Sequence, residues 1–255
     1  MSKLTNPLMV YLPDTRGVMI SRFGKGNLKI GANVFTYSRL PGLPKNPALG
    51  SDYDDAFVAR LDSMHGTCPG ASPECLSICY ASRPVAERAA VARMWQVNTH
   101  HRDVPELPAD AKLLRIHVSG DFDTVAYIHN WIHRLMERPD VTAWAYTRSW
   151  RIPSLLSALE RLRSLPNMQL FASMDASIAE LPPAGWRRAW IDGDARAGDP
   201  QLVQAHMDDP VTHNLTTFDG GRTYICPEET KRQPDCEACK YCFAGKEHDV
   251  TFLRH

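Results

Sequence analysis

The sequence predicts an α/β protein with a partial (β/α) barrel of parallel strands and a small cysteine-rich C-terminal segment. Three observations support this fold class. Apolar strand-like runs alternate with helical runs through the middle of the chain, small or polar residues follow the strand-like runs, and the cysteines gather near the two ends of the series. Strand–helix alternation with short links implies parallel strands and right-handed crossovers, which build either an open sheet or a partial barrel.

The N-terminal part of the chain is rich in Gly, Pro and Asn and carries short apolar runs. This composition is typical of short strands and loops. We therefore predict three parts: residues 1–66 as an N-terminal extension that packs on the core, 67–215 as the α/β core, and 216–255 as a C-terminal auxiliary cluster segment. The last part has little apolar content of its own, so a bound metal or cluster is expected to organise it.

The elements of the core follow from hydrophobic periodicity. A helix begins near Pro84, where a first turn tolerates proline, and continues to residue 101. The helix over 123–138 has one apolar stripe, which is typical of a helix packed on a sheet. The other predicted elements are, in order, a strand over 113–118, a strand over 141–147, a helix over 153–164, a strand over 168–173 and the start of a further strand at 188–191.

Small or polar residues follow each predicted strand, at 119–121, 147–149, 173–175 and 192–194. In parallel α/β folds, ligands bind at the carboxyl ends of the strands. Ser173 and Asp175 are therefore candidates to bind ribose hydroxyls or substrate, although an acidic helix cap is the commoner role of such an aspartate. Arg148 could bind a carboxylate or phosphate, and a surface ion pair is the alternative.

Composition limits the classes of function. Lys and Arg total 29, as do Asp and Glu, so a formal net charge of zero gives no global electrostatic case for binding nucleic acid or an anionic membrane. The first residues lack the apolar run of a signal peptide and no stretch reaches transmembrane length, so we expect a cytoplasmic protein with no membrane partner. The motifs GxxxxGK[ST], GxGxxG and GxSxG are absent, which gives little basis for a nucleotidase, a Rossmann dehydrogenase or an α/β hydrolase.

The seven cysteines form two groups. The triplet is Cys68, Cys75 and Cys79, in a loop that leads into a helix, and the quartet comprises Cys226, Cys236, Cys239 and Cys242. In a reducing cytoplasm, clustered cysteines are more often metal ligands than disulfides. Three thiolates leave one iron of a [4Fe-4S] cubane open, whereas four close it. The two groups therefore predict a catalytic cluster beside an auxiliary one.

The quartet contains the run C-x2-C-x2-C, which ferredoxin-type cluster loops use, and Cys226 can complete a set of four ligands. Zinc ribbons more often use two well-separated CxxC pairs, so the close spacing favours an iron–sulfur cluster, with zinc as the alternative. Because all four irons of such a cluster would be thiolate-bound, we expect a role in electron transfer or structure.

Three cysteines in a loop before a helix, followed by a βα series, resemble the radical S-adenosylmethionine (radical SAM) enzymes. The spacing here is C-x6-C-x3-C, whereas the usual motif of that family is CxxxCxxC. Ser119-Gly120-Asp121 in HVSGDF is the best counterpart of the family's Gly-Gly-Glu element, with an aspartate in place of the glutamate. The resemblance covers residues 68–194. The chain also resembles a family of small phage-type proteins that share the CP…C…CYA and HVSGDF stretches, to which no reaction is attached.

The radical SAM resemblance implies cofactors and partners. The triplet would hold three irons of a [4Fe-4S] cluster whose fourth iron chelates S-adenosylmethionine, and the 119–121 segment would grip the amino group of that molecule. Reductive cleavage would then generate a radical that acts on an unidentified substrate. An electron donor such as flavodoxin or ferredoxin would be a partner, and the quartet would hold the second cluster.

Three alternatives remain open. The triplet could carry unligated thiols, or hold a structural zinc completed by His65, His117 or a cysteine of the quartet. The chain could then be a non-catalytic, zinc- or Fe-S-stapled binding protein, including one associated with nucleic acid. It could also be an iron–sulfur protein that has lost S-adenosylmethionine binding, or one that uses an open iron as a Lewis acid.

Overall fold

Nine strands form one mixed sheet in a computed structural model that describes residues 22–44, 66–81, 88–101, 103–196, 214–216, 222–244 and 248–254. In the sheet the strands run in the order β1-β2-β3-β4-β5-β6-β9-β8-β7. Their bounds are β1 Gly24–Asn27, β2 Gly31–Tyr37, β3 Leu113–Ile116, β4 Thr142–Thr147, β5 Met168–Met174, β6 Arg187–Arg196, β7 Asn214–Thr216, β8 Arg222–Ile225 and β9 Asp249–Arg254.

The strands from β2 to β6 are parallel and lie side by side in chain order, and β9 and β8 continue the parallel run. Only the outermost pairs, β1 with β2 and β7 with β8, are antiparallel in the described part of the chain. A doubly wound sheet reverses its strand order at a switch point, whereas the order from β1 to β6 advances in one direction, as it does in (β/α) barrels; beyond β6 the order runs from β9 back to β7. The α/β class and its parallel strands are confirmed. Among the described strands the sheet is not closed, so a barrel is not confirmed.

Four helices and one short C-terminal helix accompany the sheet in the described residues: α1 Pro73–Ser77, α2 Ala89–His100, α3 Val125–Glu137, α4 Pro153–Arg163 and α5 Cys236–Cys239. Local signals set their starts. The side chain of Thr124 caps α3 by accepting from the backbone N–H of Tyr127 at 3.2 Å, and Pro153 occupies the first turn of α4. The predicted start near Pro84 lies outside the described residues.

The two faces of the sheet have different partners. On one face α3 and α4 cover alternate strand residues in a large apolar core that includes Leu114, Ala145 and Trp131. On the other face a smaller cluster joins Trp144 and Phe171 to the cysteine-rich C-terminal segment. Because side chains alternate along a strand, the strands from β2 to β6 contribute to both cores.

Two predicted elements differ from the structure in ways that affect the site. The strand predicted over 113–118 ends at Ile116, because His117 has a left-handed backbone with φ of 62°. The strand that begins near 188 runs from Arg187 to Arg196, so Asp192 lies within β6 rather than after it.

The sheet takes strands from all three predicted parts of the chain. β1 and β2 come from residues 1–66, the next four strands from the core, and β8 and β9 from 216–255. The C-terminal segment thus contributes a strand that pairs on both sides, as well as its cysteines. Among the described residues, none of the helices has the length and apolarity needed to cross a membrane.

Candidate functional site

The triplet lies in the connection that leaves the carboxyl end of β2. The segment that carries Cys68 is held by its backbone: the N–H of Thr67 donates to the carbonyl of Leu40 at 3.2 Å, and the N–H of Cys68 donates to the carbonyl of Gly42 at 2.8 Å. The loop also passes close to the end of β4, where a Cβ on Gly70 would overlap the carbonyl oxygen of Arg148. Glycine is therefore required for this close approach.

A short helix inside the triplet, α1, carries Cys75 and is capped by Ser72. The hydroxyl of Ser72 accepts from the N–H of Cys75 at 3.0 Å and donates to the Asp175 carboxylate at 2.5 Å. Since Asp175 follows β5, one hydrogen bond ties the cysteine helix to a strand end 103 residues away. The sequence interpretation treated this stretch as a loop and did not predict the helix.

The triplet thiols are mutual neighbours in a buried, acidic setting. Burial raises the pKa of Cys68 well above its ordinary value, and the nearby Asp121, Cys75 and Cys79 add to the rise. Burial also raises the pKa of Cys75 to about 11, although the Arg148 charge opposes it. Thiolates in such a place are stabilised only when a positive group joins them, which is what a bound metal supplies.

Asp121 follows β3 and is buried at the centre of the strand ends. Its Oδ1 accepts from the Thr147 hydroxyl at 2.5 Å and the Phe122 N–H at 2.7 Å, while Oδ2 accepts from the Arg148 N–H at 2.8 Å. Burial raises the pKa of Asp121 to about 6, despite these hydrogen bonds.

Ser119 and Gly120 bring the backbone of the same segment close to the triplet loop. Gly120 has φ of 80°, and a Cβ there would lie 2.6 Å from the Thr67 hydroxyl, so a side chain would be both strained and crowded. The hydroxyl of Ser119 is buried and lacks a hydrogen-bond partner within the described part of the chain. Buried polar atoms are normally paired, so an orphan hydroxyl indicates room for a polar ligand or water.

The carboxylate of Asp175 is saturated by its own neighbours. Oδ1 accepts from the N–H and hydroxyl of Ser177 at 3.0 and 2.5 Å, and Oδ2 accepts from Ser72 and from Arg148 Nη2 at 2.9 Å. Burial opposes its ionisation, but these bonds lower the pKa of Asp175 overall. Of the two roles considered for Arg148, the ion pair is observed, and it is buried. Ser173 lies at the same edge, where its carbonyl accepts from Trp150 Nε1 at 3.3 Å.

The quartet is inserted between β8 and β9 and rests on the face of the sheet opposite α3 and α4. Its helix α5 is capped by Asp235, which accepts from the Ala238 N–H at 2.8 Å. The same helix docks on the β1–β2 turn, where the N–H of Cys236 donates to the carbonyl of Lys29 at 3.0 Å. The buried carboxylate of Glu229 accepts from Lys29 Nζ at 2.7 Å and from the Leu253 N–H at 2.5 Å, which fixes the segment after Cys226 to the β1–β2 turn and to β9.

All four thiols of the quartet line one small pocket, which is closed by Phe243 and Phe252. Burial raises the pKa of Cys236 to about 12 and that of Cys242 to about 11, and the Arg115 charge opposes both shifts. A hydrogen bond from the Tyr146 side chain also lowers the pKa of Cys242. The four thiols of the quartet therefore lie together, and their role as ligands stays a prediction.

The donors of both groups are free thiols, a type that iron–sulfur clusters and zinc both use. Cys226 and Cys242 are buried, and the other five cysteines are partly exposed. Across the described ranges, no three His, Cys, Asp or Glu side chains converge closely enough to hold one metal ion.

Of the two histidines proposed to complete a zinc site at the triplet, the structure describes His117. His117 is buried against α3, where its Nε2 lies 2.8 Å from the Tyr127 hydroxyl, and burial with the Arg39 and Arg115 charges lowers its pKa well below the ordinary value. His65 lies outside the described residues.

Two residues near the cysteines were not predicted from the sequence. Tyr80 follows Cys79 and donates its hydroxyl to the carbonyl of Val118, so it joins the triplet to the segment that precedes Ser119. Arg115 points from β3 toward the quartet, with its guanidinium carbon 4.0 Å from the centre of the Tyr146 ring. A charged residue inside the apolar run LLRIHV is the signal by which Arg115 could have been found.

Comparisons of the sequence with known proteins match it to one family. The family model described as Gene product 88 matches residues 24–245, a span that includes both cysteine groups. The Gene 88 protein of Mycobacterium phage L5 is 30% identical over 212 residues, which cover 71% of this chain and 79% of the relative. The Gene 88 protein of Mycobacterium phage D29 is 26% identical over 212 residues, with the same shares of 71% and 79%. No solved structure matches.

These matches confirm the predicted resemblance to a phage-type family, while the radical SAM resemblance remains a prediction. The family model covers most of the chain and the phage L5 relative reaches 30% identity. The chain belongs to the Gene product 88 family.

Proposed function

We propose that this protein is a radical SAM-type enzyme that holds a [4Fe-4S] cluster on Cys68, Cys75 and Cys79 and a second cluster on the quartet. One observation carries the proposal: three clustered thiols follow the first strand of a parallel series in chain order, beside a Ser-Gly-Asp segment at the end of the next strand. The curvature of a partial barrel, which would enclose a substrate, is part of the same proposal.

The residues at the strand ends have separate roles in this proposal. Asp121 lies beside the triplet at the end of β3, so its carboxylate would accept a hydrogen bond from the amino group of S-adenosylmethionine. The Ser119 hydroxyl supplies a further buried polar contact, and Gly120 lets the backbone approach the loop. Ser173 offers its side chain at the neighbouring strand end for a ribose hydroxyl.

Asp175 is a positioning residue rather than a ligand in this proposal, because all its acceptor positions are used. With Ser72 and Arg148 it holds α1, and therefore Cys75, at the strand ends. The bound cluster and S-adenosylmethionine would supply radical chemistry when reduced, and the protein supplies orientation and excludes water.

The quartet serves electron transfer or structure in this proposal, because its four thiolates leave no iron open. An electron donor such as flavodoxin or ferredoxin would reduce the protein, and the substrate is unidentified. The quartet segment forms backbone hydrogen bonds to the turn after β1 and lies between the paired strands β8 and β9. These contacts favour a role of the quartet in stabilising the fold as well.

The test is the iron, sulfide and zinc content of protein purified without oxygen, with EPR spectra of the reduced protein with and without S-adenosylmethionine. We expect about eight irons per chain, as two cubanes require, and a signal that changes with S-adenosylmethionine. Asp121→Ala should weaken S-adenosylmethionine binding without iron loss, measured by titration calorimetry, and Asp110→Ala on the surface is the matched control.

Eight irons with no response to S-adenosylmethionine would remove the radical chemistry and keep the clusters, which favours the iron–sulfur protein without S-adenosylmethionine. Zinc without iron would favour the non-catalytic, metal-stapled binding protein. Unchanged affinity in Asp121→Ala would show that the amino group binds elsewhere.

A further inference from the structure

Thr67, the residue directly before the first cysteine of the triplet, connects three parts of the candidate site. Its side chain is fully buried, and its hydroxyl donates to the carbonyl of Leu40 at 2.8 Å. The same hydroxyl oxygen accepts from the backbone N–H of Asp121 at 3.2 Å. One hydroxyl therefore joins the segment after β2, the peptide that carries Cys68 and the segment that follows β3.

Tyr80, the residue directly after the last cysteine of the triplet, contacts the segment after β3 at its other end. Its hydroxyl donates to the carbonyl of Val118, although the side chain is 55% exposed. The next residue, Ala81, is buried in a small apolar cluster against which Cys79 also packs. The two residues that flank the triplet thus both bind the 118–121 segment, one at each end.

The 118–121 segment is itself held by bonds that do not involve the triplet loop. The N–H of Arg39 donates to the carbonyl of Ser119 at 2.9 Å, and the N–H of Val118 donates to the Ser38 hydroxyl at 3.2 Å. These bonds join the segment to the residues after β2 and need no bound group. The segment can therefore act as a fixed support for the loop that carries the cysteines.

We propose that Thr67 and Tyr80 are positioning residues, which hold the two ends of the triplet loop against the 118–121 segment. This arrangement sets the place of the bound metal group relative to Asp121. The inference rests on the proposed function, because it requires a metal group on the thiols of the triplet. Thr67 acts on Cys68 through the peptide bond between them and on Asp121 through a hydrogen bond. Without its hydroxyl the Asp121 N–H would be buried and unpaired, which costs more than the loss of an exposed hydrogen bond.

The test is the rate of metal release to a chelator that takes up both Fe²⁺ and Zn²⁺, from protein purified without oxygen. Cys75→Ala lacks the triplet site, so the metal that the natural protein releases beyond Cys75→Ala belongs to the triplet. Thr67→Val removes the hydroxyl, keeps the shape of the side chain and should release the triplet metal about tenfold faster. Thr67→Ser should restore the natural rate, because the hydroxyl is retained. Tyr80→Phe should accelerate release by about threefold, because the hydrogen bond that it loses lies at the surface.

Matched controls separate this role from general stability. Tyr241→Phe removes a hydroxyl that donates to the carbonyl of Asp249 at 3.3 Å in the quartet segment, and should leave the release of triplet metal unchanged. Thr223→Val removes a buried hydroxyl through which β8 bonds to β9 and should likewise leave it unchanged. Thr67→Val added to Cys75→Ala should leave the release of quartet metal unchanged.

A second measurement concerns the place of Asp121. In the metal-loaded fraction, Thr67→Val should weaken the binding of S-adenosylmethionine by about tenfold, measured by titration calorimetry, and Thr67→Ser should not. A role of Thr67 in folding alone would leave the affinity of this fraction unchanged, so an unchanged affinity would overturn the inference.

The outcomes separate this inference from the proposed function. A natural release rate in either Thr67→Val or Tyr80→Phe would overturn the inference alone, as would equal acceleration at the quartet. Zinc in place of iron, with faster release from the triplet only, would overturn the proposed function and support the positioning role. Absence of metal from the triplet would overturn both. If Thr67→Val fails to fold, Tyr80→Phe decides, because its largely exposed side chain loses one hydroxyl and nothing else.

Discussion

The two cysteine sites lie on one sheet but are held in different ways. The triplet is held at the carboxyl ends of strands by polar bonds, with Ser72, Asp121, Arg148 and Asp175 in a buried network. The quartet is held against the face of the sheet by aromatic and aliphatic packing. A polar network can position a ligand with room for another donor, whereas a packed pocket encloses what it binds. The difference favours ligand chemistry at the triplet and a closed role at the quartet.

The largest expected effect comes from removing one thiol of the triplet. Cys75→Ala should abolish cleavage of S-adenosylmethionine and lower the iron content by about half, because one of two cubanes loses a ligand. Product analysis and iron assay measure both effects. Ser77→Ala, on the same helix with an exposed hydroxyl, should retain both. Full activity in Cys75→Ala would show that the triplet is not the catalytic site.

Removing a thiol of the quartet should lower the stability of the protein more than removing a thiol of the triplet. Cys242→Ala removes a buried ligand between β8 and β9 and should lower the free energy of unfolding by about 2–4 kcal/mol, with faster proteolysis of the C-terminal segment. Denaturant unfolding and limited proteolysis measure these changes. Cys75→Ala is the comparison and should leave C-terminal proteolysis unchanged. Equal proteolysis in both variants would mean that the quartet does not organise its segment.

The pH dependence of the free energy of unfolding should show the raised pKa of Asp121. Burial raises its pKa in the folded protein to about 6, above the ordinary carboxyl value, so the folded state binds more protons than the unfolded state between pH values of about 4 and 6. Its contribution is therefore full below that range and is lost as the pH rises through it, a change on the order of 2 kcal/mol. Metal-free Asp121→Asn should lack this slope in denaturant unfolding. If the stability of Asp121→Asn changed with pH as steeply as that of the natural protein, Asp121 would not be the group responsible for this pH dependence.

The smallest effect is expected at the cap of α1. Ser72→Ala removes the cap and the hydrogen bond to Asp175, and should cost about 1 kcal/mol of stability together with some iron at the triplet only. Ser72→Thr should restore both, because the hydroxyl is retained. Loss of iron from the quartet instead would break the distinction between the two sites.

Periodicity was sufficient to predict the central elements. Strands β4 and β5 and helices α3 and α4 differ from the prediction by no more than two residues at either end. It was not sufficient for α1, which has five residues and therefore no repeat to detect. The C-terminal segment was predicted to lack a core of its own, yet β9 joins the sheet. A short strand gains its stability from two neighbours, which a local pattern does not reveal.

The expectation that ligands bind at the carboxyl ends of parallel strands located the candidate site. It did not predict the hydrogen bonds within that site. It placed Asp121 and Asp175 after two of the predicted strands. The structure distinguishes them, because Asp121 accepts from the Thr147 hydroxyl and backbone N–H groups, whereas Asp175 accepts from the Arg148 guanidinium and from a serine 103 residues earlier. Contacts of this kind depend on tertiary structure. The same holds for Tyr80, whose hydrogen bond to the segment after β3 forms only when the triplet loop reaches that segment.

The place of β9 has a consequence for biosynthesis. β9 lies between β6 and β8, although it follows both in the chain. Until the ribosome has released it, β8 and its hairpin partner β7 have no bridge to the rest of the sheet. All four cysteines of the quartet precede β9 and emerge before that bridge can form. If the quartet holds the proposed cluster, its delivery can therefore come before the sheet is completed, and insertion of β9 would then close the pocket over the cluster.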